Sequence, residues 1–141
     1  MIKKELLNNK KILITGGTGS FGKKFIDYVL NNYEPSKLIV FSRDEQKHFE
    51  MSAKYPEKNY KNIRYFIGDV RDRDRMMRAC ADVDIIIHAA AMKHVSLSEY
   101  NPTECIATNV NGAENLIDAA ISNNVKQVIA LSTDKAANPI N

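Results

Sequence analysis

Short apolar runs alternate with longer amphipathic stretches from residue 11 to residue 131, and this alternation restricts the chain to one fold class. The short runs are Lys11–Thr15, Leu38–Phe41, Ile63–Ile67, Asp84–His88 and Val128–Leu131. Most of their consecutive positions are apolar, as in strands buried on both faces. Between them lie stripes at helical spacing: Phe21, Phe25, Ile26, Val29 and Leu30, then Ile106, Val110, Ala113, Ile117, Ala120 and Ile121. Strand, helix, strand repeated this way, with right-handed crossovers, predicts an α/β fold: a doubly wound parallel sheet with helices on both faces.

The link between the first strand and the first helix indicates what such a sheet holds. Ile12-Leu13-Ile14 leads into Thr15-Gly16-Gly17-Thr18-Gly19-Ser20-Phe21-Gly22. Gly16, Gly19 and Gly22 sit three apart. The first permits the sharp turn, the second lets the backbone approach a pyrophosphate, and the third lets the helix pack close to the strand. The N–H groups at the helix start, around Thr18, Ser20 and Phe21, then face an anion. A glycine pattern alone is weak, but between strand and helix of a βαβ array it marks a Rossmann-type dinucleotide site.

Other strand ends extend the site. The second strand ends at Phe41-Ser42-Arg43-Asp44, where NAD-specific sites place an acid on the ribose 2′-hydroxyl. Ser42 and Arg43 suit a 2′-phosphate instead, and Lys47 adds a second cation one turn on. The expected cofactor is therefore NADP, while Asp44 keeps NAD open and an exposed charged helix is the plainer reading of Arg43 and Lys47. After the third strand, Asp69 can accept from the adenine amino group while Val70 packs on the ring. Asp69 or Asp72 can instead cap the next helix, and Asp72 suits the cap better. Ala89-Ala90-Ala91 follows the fourth strand, either to admit the cofactor or to allow tight packing.

Composition excludes other classes. The 141 residues fit one domain. A net charge of +3 is too mild to argue for nucleic acid. Arg71-Asp72-Arg73-Asp74-Arg75 reads as a solvated helix face. Cys80 and Cys105 form no metal-ligand or disulfide pattern and read as reduced core residues of a cytoplasmic protein. The mostly apolar stretch from Ile85 to Met92 is too short to span a bilayer, and no signal-peptide core precedes it. His88 reads as a core histidine and His48 as a solvated one.

Taken together, these segments resemble the extended short-chain dehydrogenase/reductase superfamily, and within it the inverting UDP-N-acetylglucosamine 4,6-dehydratases of polysaccharide (pseudaminic acid) biosynthesis. The resemblance is carried by Gly16–Gly22, Phe41-Ser42-Arg43-Asp44-Glu45, Gly68-Asp69-Val70-Arg71-Asp72, His88-Ala89-Ala90-Ala91-Met92-Lys93-His94-Val95, Glu99-Tyr100-Asn101-Pro102 and Leu131-Ser132-Thr133-Asp134-Lys135. It implies a UDP-sugar substrate and a lyase. In such an enzyme Lys135 removes the H5 proton, Asp134 protonates the departing C6 hydroxyl, and Thr133 holds the C4 oxygen. The nicotinamide cofactor accepts hydride from C4 and returns it to C6. Lys93 is expected to touch both cofactor and substrate, and Thr108 the cofactor. His94 either lines the sugar site or is structural. Asp134-Lys135 read without the resemblance is a surface loop pair, although it follows the carboxyl end of a parallel strand, where ligands bind.

Members of that family are more than twice as long. Their Tyr-x-x-x-Lys, or Met-x-x-x-Lys, is expected just past Asn141, with later strands and a sugar-binding domain beyond. Residues 1–141 are therefore expected to be an incomplete Rossmann domain. Its fifth strand would keep an unpaired edge unless something covers it, and turnover would be slight or nil. A 4- or 5-epimerase of the same superfamily and a non-catalytic NADP(H)-binding module are the alternatives. A metal is not expected, and a homo-oligomer is left open.

Overall fold

The structure, a computed structural model, describes residues 6–133. Five strands form one parallel sheet: β1 (Lys11–Thr15), β2 (Lys37–Ser42), β3 (Ile63–Ile67), β4 (Ile85–His88) and β5 (Gln127–Ala130). Their spatial order is β3-β2-β1-β4-β5, so the order reverses between β1 and β4. This is the Rossmann-like doubly wound arrangement expected from the alternation.

The two faces of the sheet carry separate cores because side chains alternate along each strand. Ile12, Ile14, Leu38, Val40, Ile85 and Ile87 point to one face. There they meet Ile26 and Val29 of α1 (Ser20–Asn32) and Met51 of α2 (Glu45–Lys54). Leu13, Ile39, Phe41 and Ile86 point to the other. They meet Met76 and Ala79 of α3 (Arg73–Ala79) and Leu116, Ala119 and Ala120 of α6 (Gly112–Ser122). Each such fully buried Ile or Leu contributes about 1.5–3 kcal/mol relative to exposure. Asp44 and Asp72 cap α2 and α3, accepting from the N–H groups of Lys47 at 3.0 Å and Arg75 at 2.9 Å. The assignment of the cap to Asp72 rather than Asp69 is thus met.

Three expectations need correction. The stretch before α6 is not one continuous helix. After α4 (Val95–Tyr100), it runs as α5 (Pro102–Ile106), a π-helical turn at Ala107–Asn111, and then α6. Its large apolar stripe also faces outward: Ile106 is 55%, Ile117 52% and Ile121 72% exposed. The buried side consists of Thr108, Gly112, Leu116, Ala119 and Ala120, because close approach to α3 and Val70 selects small residues. Second, the two edge strands of the described sheet are not buried on both faces: β5 is exposed at every position, and β3 is fully buried only at Ile63. Third, His48 is buried, not solvated, because its ring reaches back from α2 to the end of β2.

Smaller adjustments follow the same logic. Cys80 is buried and its thiol is pushed up to about 11 by burial, whereas Cys105 is only half-buried. The charged run after β3 is solvated as expected, with Arg71 to Asp74 exposed and Arg75 half-buried, and its arginines also meet protein groups. Arg75 lies over the Phe66 ring at 3.8 Å and donates to the Ile67 carbonyl, and Arg73 pairs with Asp118 at 3.6 Å. Among the described residues, no helix is long and apolar enough to cross a membrane, and no group of His, Cys, Asp and Glu is placed to hold a metal ion.

Candidate functional site

Strand register brings the expected residues to one edge. Phe66, Phe41, Thr15, His88 and Ala130 form a row across the five strands. Gly16, Ser42, Gly68-Asp69, Ala89 and Leu131 to Thr133 lie just beyond it, at the carboxyl ends. Ligands of open α/β sheets bind in that crevice, at the point of strand-order reversal.

The glycine loop is built by contacts on all sides. Gly16 has φ +65, and a Cβ there would fall 2.8 Å from the Ala89 carbonyl carbon and oxygen. It thus serves the sharp turn and the approach to the β4 end together. A Cβ on Gly22 would lie 2.3 Å from the Gly17 carbonyl oxygen, so this glycine lets α1 close on the loop itself rather than on β1. Gly17, not singled out by the spacing, is constrained too: its Cβ would meet Val40 at 2.6 Å. At Gly19 a Cβ would meet only the Gly16 carbonyl oxygen, at 3.2 Å.

Two loop amides are already engaged. Gly17 N–H donates to the Phe41 carbonyl at 3.2 Å and Gly19 N–H to the Gly16 carbonyl at 3.0 Å. Gly19 is the N-cap of α1 and provides no side-chain cap. The first backbone bond of the helix runs from Lys23 N–H to the Gly19 carbonyl. The N–H groups of Ser20, Phe21 and Gly22 therefore lack intrahelical acceptors and form the positive end of a 13-residue helix. That is the place for an anion, shifted slightly along the chain from the glycines themselves. Phe21 is exposed there and stacks at 6.0 Å on Phe25.

The β2 end adds polar groups. Thr18 Oγ1 and Ser42 Oγ share a hydrogen bond of 2.9 Å, tying the glycine loop to the second strand. Arg43 is exposed and its Nη1 stands 3.6 Å from Asp69 Oδ2. Asp69 is held more tightly by Arg71, through Nη2 at 2.7 Å and Nε at 2.9 Å. Burial pushes the Asp69 carboxyl up, but the Arg71 hydrogen bonds and the charges of Arg71 and Arg43 outweigh it and leave it below the usual range. Lys47, the expected second cation, pairs at 3.2 Å with Asp44, the N-cap of α2, so its charge is offset within the helix start. His48 donates from Nε2 to the Ser42 carbonyl at 3.3 Å.

At the β4 end, Thr15 Oγ1 accepts from the N–H groups of Ala89 at 3.2 Å and Ala90 at 3.3 Å. Its own hydrogen then points to His88 Nδ1, 2.7 Å away, which fixes His88 as the Nε2–H tautomer. Burial pulls the His88 pKa below its ordinary value, in keeping with a neutral core histidine. Further on, Lys93 and His94 are exposed, with His94 at the N-cap position of α4. Thr133 is exposed three residues past β5. Asp134 and Lys135 lie outside the described residues.

Two asparagines that organise this edge gave no motif signal, and Arg71, within the Gly68–Asp72 segment, had no expected site role. Asn109, in the π turn, accepts from Met92 N–H at 2.8 Å and donates to the Met92 carbonyl at 2.9 Å. Asn115 donates from α6 to the carbonyls of Val70 and Arg71, both at 3.0 Å. Arg71 also pairs with Glu104 of α5. The bearing of Asn109 on the segment around Lys93 was within reach from its position on the helix after β4. Thr108, in the same π turn, is buried, with no hydrogen-bond partner for its hydroxyl oxygen among the described residues. A Cβ on Gly112, the first residue of α6 after the π turn, would meet Val70 Cγ2 at 2.6 Å, so the start of α6 and the Asp69-Val70 loop are in direct contact.

Known proteins carry the same arrangement. The chain is 60% identical over 136 residues to the inverting UDP-N-acetylglucosamine 4,6-dehydratase of Campylobacter jejuni, covering 96% of this chain and 40% of that enzyme. It superposes on the X-ray structure of Pen from Bacillus thuringiensis with a TM-score of 0.90 and 43% identity, covering 96% of this chain and 41% of that one. The dTDP-glucose 4,6-dehydratase DesIV of Streptomyces venezuelae, solved with NAD bound, gives a TM-score of 0.76 at 27% identity, covering 89% of this chain and 40% of that one. The chain thus spans about two-fifths of the length of these relatives. The sequence pattern of the polysaccharide biosynthesis proteins matches residues 12–141, and the chain belongs to that family.

Proposed function

We propose that this chain is the dinucleotide-binding portion of an NADP(H)-dependent, C5-inverting UDP-N-acetylglucosamine 4,6-dehydratase. The observation that carries the reading is the convergence, on one sheet edge, of the uncapped α1 N-terminus with the ends of β2, β3 and β4. The residues fit a dinucleotide. The open N–H groups of Ser20, Phe21 and Gly22 suit a diphosphate. A Cβ at Gly19 would intrude on that approach. Asp69, ionised and held by Arg71, can accept from an adenine amino group, whereas Val70 is buried in the core against Gly112 and backs this loop instead of offering the ring an open surface. Ser42 and Arg43 stand where a ribose 2′-phosphate would lie, and Arg43 is the more exposed of the two cations at Asp69. The buried Thr108 hydroxyl, Lys93 and the small side chains of Ala89, Ala90 and Ala91 complete the nicotinamide side of the reading.

When bound, the nicotinamide group would supply reversible hydride acceptance from the sugar. The chain's own residues carry the rest. Thr133 donates to the C4 oxygen, Lys135 takes the H5 proton, and Asp134 gives a proton to the departing C6 hydroxyl. The Campylobacter relative, with that activity in its name, supports the substrate class. The whole protein's activity, its UDP-sugar and its cytoplasmic setting belong to this proposal.

The test has two arms. Calorimetric titration of the protein with NADP⁺ and NAD⁺ should give tighter binding of NADP⁺; no heat with either nucleotide from a folded sample overturns the site. In the second arm, UDP-N-acetylglucosamine is incubated with the protein and NADP⁺. A product lighter by one water supports the dehydratase, whereas a product of unchanged mass assigns an epimerase instead. Binding of nucleotide without binding of the UDP-sugar assigns a non-catalytic module to this chain alone.

A further inference from the structure

We infer that Arg71 is a specificity-determining positioning residue, which keeps Asp69 neutralised so that Arg43 is free to leave it for a 2′-phosphate. The inference rests on the NADP reading above and adds to it a residue that no nucleotide need touch.

Asp69 has one tight and one loose cation. Arg71 reaches the carboxylate three ways: its backbone N–H to Oδ1 at 3.0 Å, and Nε and Nη2 to Oδ2 at 2.9 and 2.7 Å. Arg43 Nη1 stands 3.6 Å from that same Oδ2, beyond hydrogen-bond distance but within reach of the charge. The Arg43 side chain is 56% exposed and that of Arg71 34%. The planar fork of Arg71 matches the carboxylate edge, and Glu104 of α5 holds its remaining nitrogen. Arg71 is thus fixed between two acids, and Arg43 is held by charge attraction alone.

The consequence follows from Coulomb's law. With Arg71 in place, the charge of Asp69 is offset at contact distance, and the more exposed Glu104 takes a different nitrogen of Arg71. Moving Arg43 a few ångströms toward a phosphate then gives up less attraction than leaving a bare carboxylate would. Without Arg71, a partly buried carboxylate faces Arg43 alone. Arg43 is then drawn onto Asp69, and a 2′-phosphate must compete for it. NAD carries no such phosphate and does not require Arg43 to move. Loss of Arg71 therefore acts on NADP⁺ more than on NAD⁺.

The experiment measures dissociation constants of NADP⁺ and NAD⁺ for the protein and its R71Q, R43Q, R43Q/R71Q and D69N variants. R71Q is expected to lower the preference for NADP⁺ by about three- to fivefold, the range that ion pairs of this exposure support. In the R43Q background, adding R71Q should change both affinities by the same factor. D69N should weaken both nucleotides yet keep or raise the preference for NADP⁺, because it removes the charge that holds Arg43. This variant decides the matter should R71Q not fold. Equal weakening of both nucleotides by R71Q, or a fall in preference in D69N, overturns the inference while leaving the NADP reading intact. A wild-type protein that binds both nucleotides equally overturns both.

Discussion

The carboxamide of Asn109 closes on the peptide of Met92 from both ends, accepting from its N–H at 2.8 Å and donating to its carbonyl at 2.9 Å. One side chain thereby fixes the backbone that precedes Lys93 and His94, in a segment with no strand pairing of its own. Asn109 stands in the π turn at Ala107–Asn111, and such turns recur at functional sites. Asn109→Ala removes the two hydrogen bonds to Met92 and a weak third one to Cys105 Sγ, and should cost about 1–2 kcal/mol in urea unfolding. The more telling measurement is amide exchange: Met92, Lys93 and His94 should lose protection while β1 and β2 keep theirs. Unchanged exchange across that segment would show that the clamp is not what orders it.

Gly16 and Gly19 should fail differently. Gly16 combines φ +65 with a Cβ position 2.8 Å from the Ala89 backbone, so Gly16→Ala is strained twice and should destabilise the fold by about 1–3 kcal/mol. Gly19 is extended, and a Cβ there would meet one backbone atom, the Gly16 carbonyl oxygen, at 3.2 Å, a tight contact that a shift of a few tenths of an ångström relieves. Gly19→Ala should stay within about 1 kcal/mol of the parent in stability, yet lose at least about tenfold in NADP⁺ affinity because a methyl enters the diphosphate approach. Thermal melts and binding titrations on the two variants separate the effects. A Gly19→Ala protein that binds normally would move the diphosphate away from α1.

Acid should loosen the same edge. Burial lowers the His48 pKa below 6.5, against the opposing pull of the Ser42 carbonyl and the Asp44 charge, and burial lowers that of His88 too. Both rings are neutral in the fold. His48 Nδ1 is buried with no hydrogen-bond partner, and His88 Nδ1 accepts from Thr15, so neither can take a proton without loss. As pH falls below about 6.5, the unfolded chain binds protons that the folded chain does not. The stabilisation is thus complete above that pH and is lost as pH falls through the folded-state pKa values. Urea midpoints from pH 7.5 to 5 should decline. His48→Gln, which keeps a donor for Ser42, should flatten the slope in part, and adding His88→Asn should flatten it further. A slope unaffected by either change would place the proton uptake elsewhere.

Contiguous apolar runs made the sheet legible. β1 starts and ends where the run Lys11–Thr15 does, because a central parallel strand covered on both faces leaves little room for polar positions. β3 matches the run Ile63–Ile67 although it is an edge strand with only Ile63 fully buried. The glycine loop was legible for the same reason that it is constrained: Gly16 and Gly22 admit no Cβ. The α5–α6 region was not. Periodicity scores large side chains as inward, but here Thr108, Gly112 and Ala119 are buried and Ile117 and Ile121 are exposed, since close helix packing prefers small residues to large ones. A π turn also adds a residue to one turn, which no 3.6-residue pattern registers. Asn109 and Asn115 were missed because they act on backbone 17 and 45 residues away. Arg71 stood in the Gly68–Asp72 segment, but its hold on Asp69 two residues away and its link to Glu104 33 residues away gave no pattern. The roles of Asp134 and Lys135 remain an expectation from resemblance, as both lie outside the described residues.

Gly112 and Val70 offer a test of whether the start of α6 and the adenine-side loop are mechanically joined. A Cβ on Gly112 would sit 2.6 Å from Val70 Cγ2 and 3.3 Å from its Cβ. Gly112→Ala gains about 1 kcal/mol of helix propensity but overpacks a buried contact, for a net loss of about 1–2 kcal/mol. Val70→Ala alone leaves a small void and should cost about 1–2 kcal/mol. Together the two changes place one methyl group on α6 where two leave Val70, so the double variant should be more stable than the sum of the single losses by at least about 1 kcal/mol. Urea unfolding of the four proteins completes the cycle. Strict additivity would mean that α6 and the Val70 loop accommodate substitutions independently. Coupling would mean that a shift at the start of α6 moves the loop carrying Asp69 and Arg71 with it.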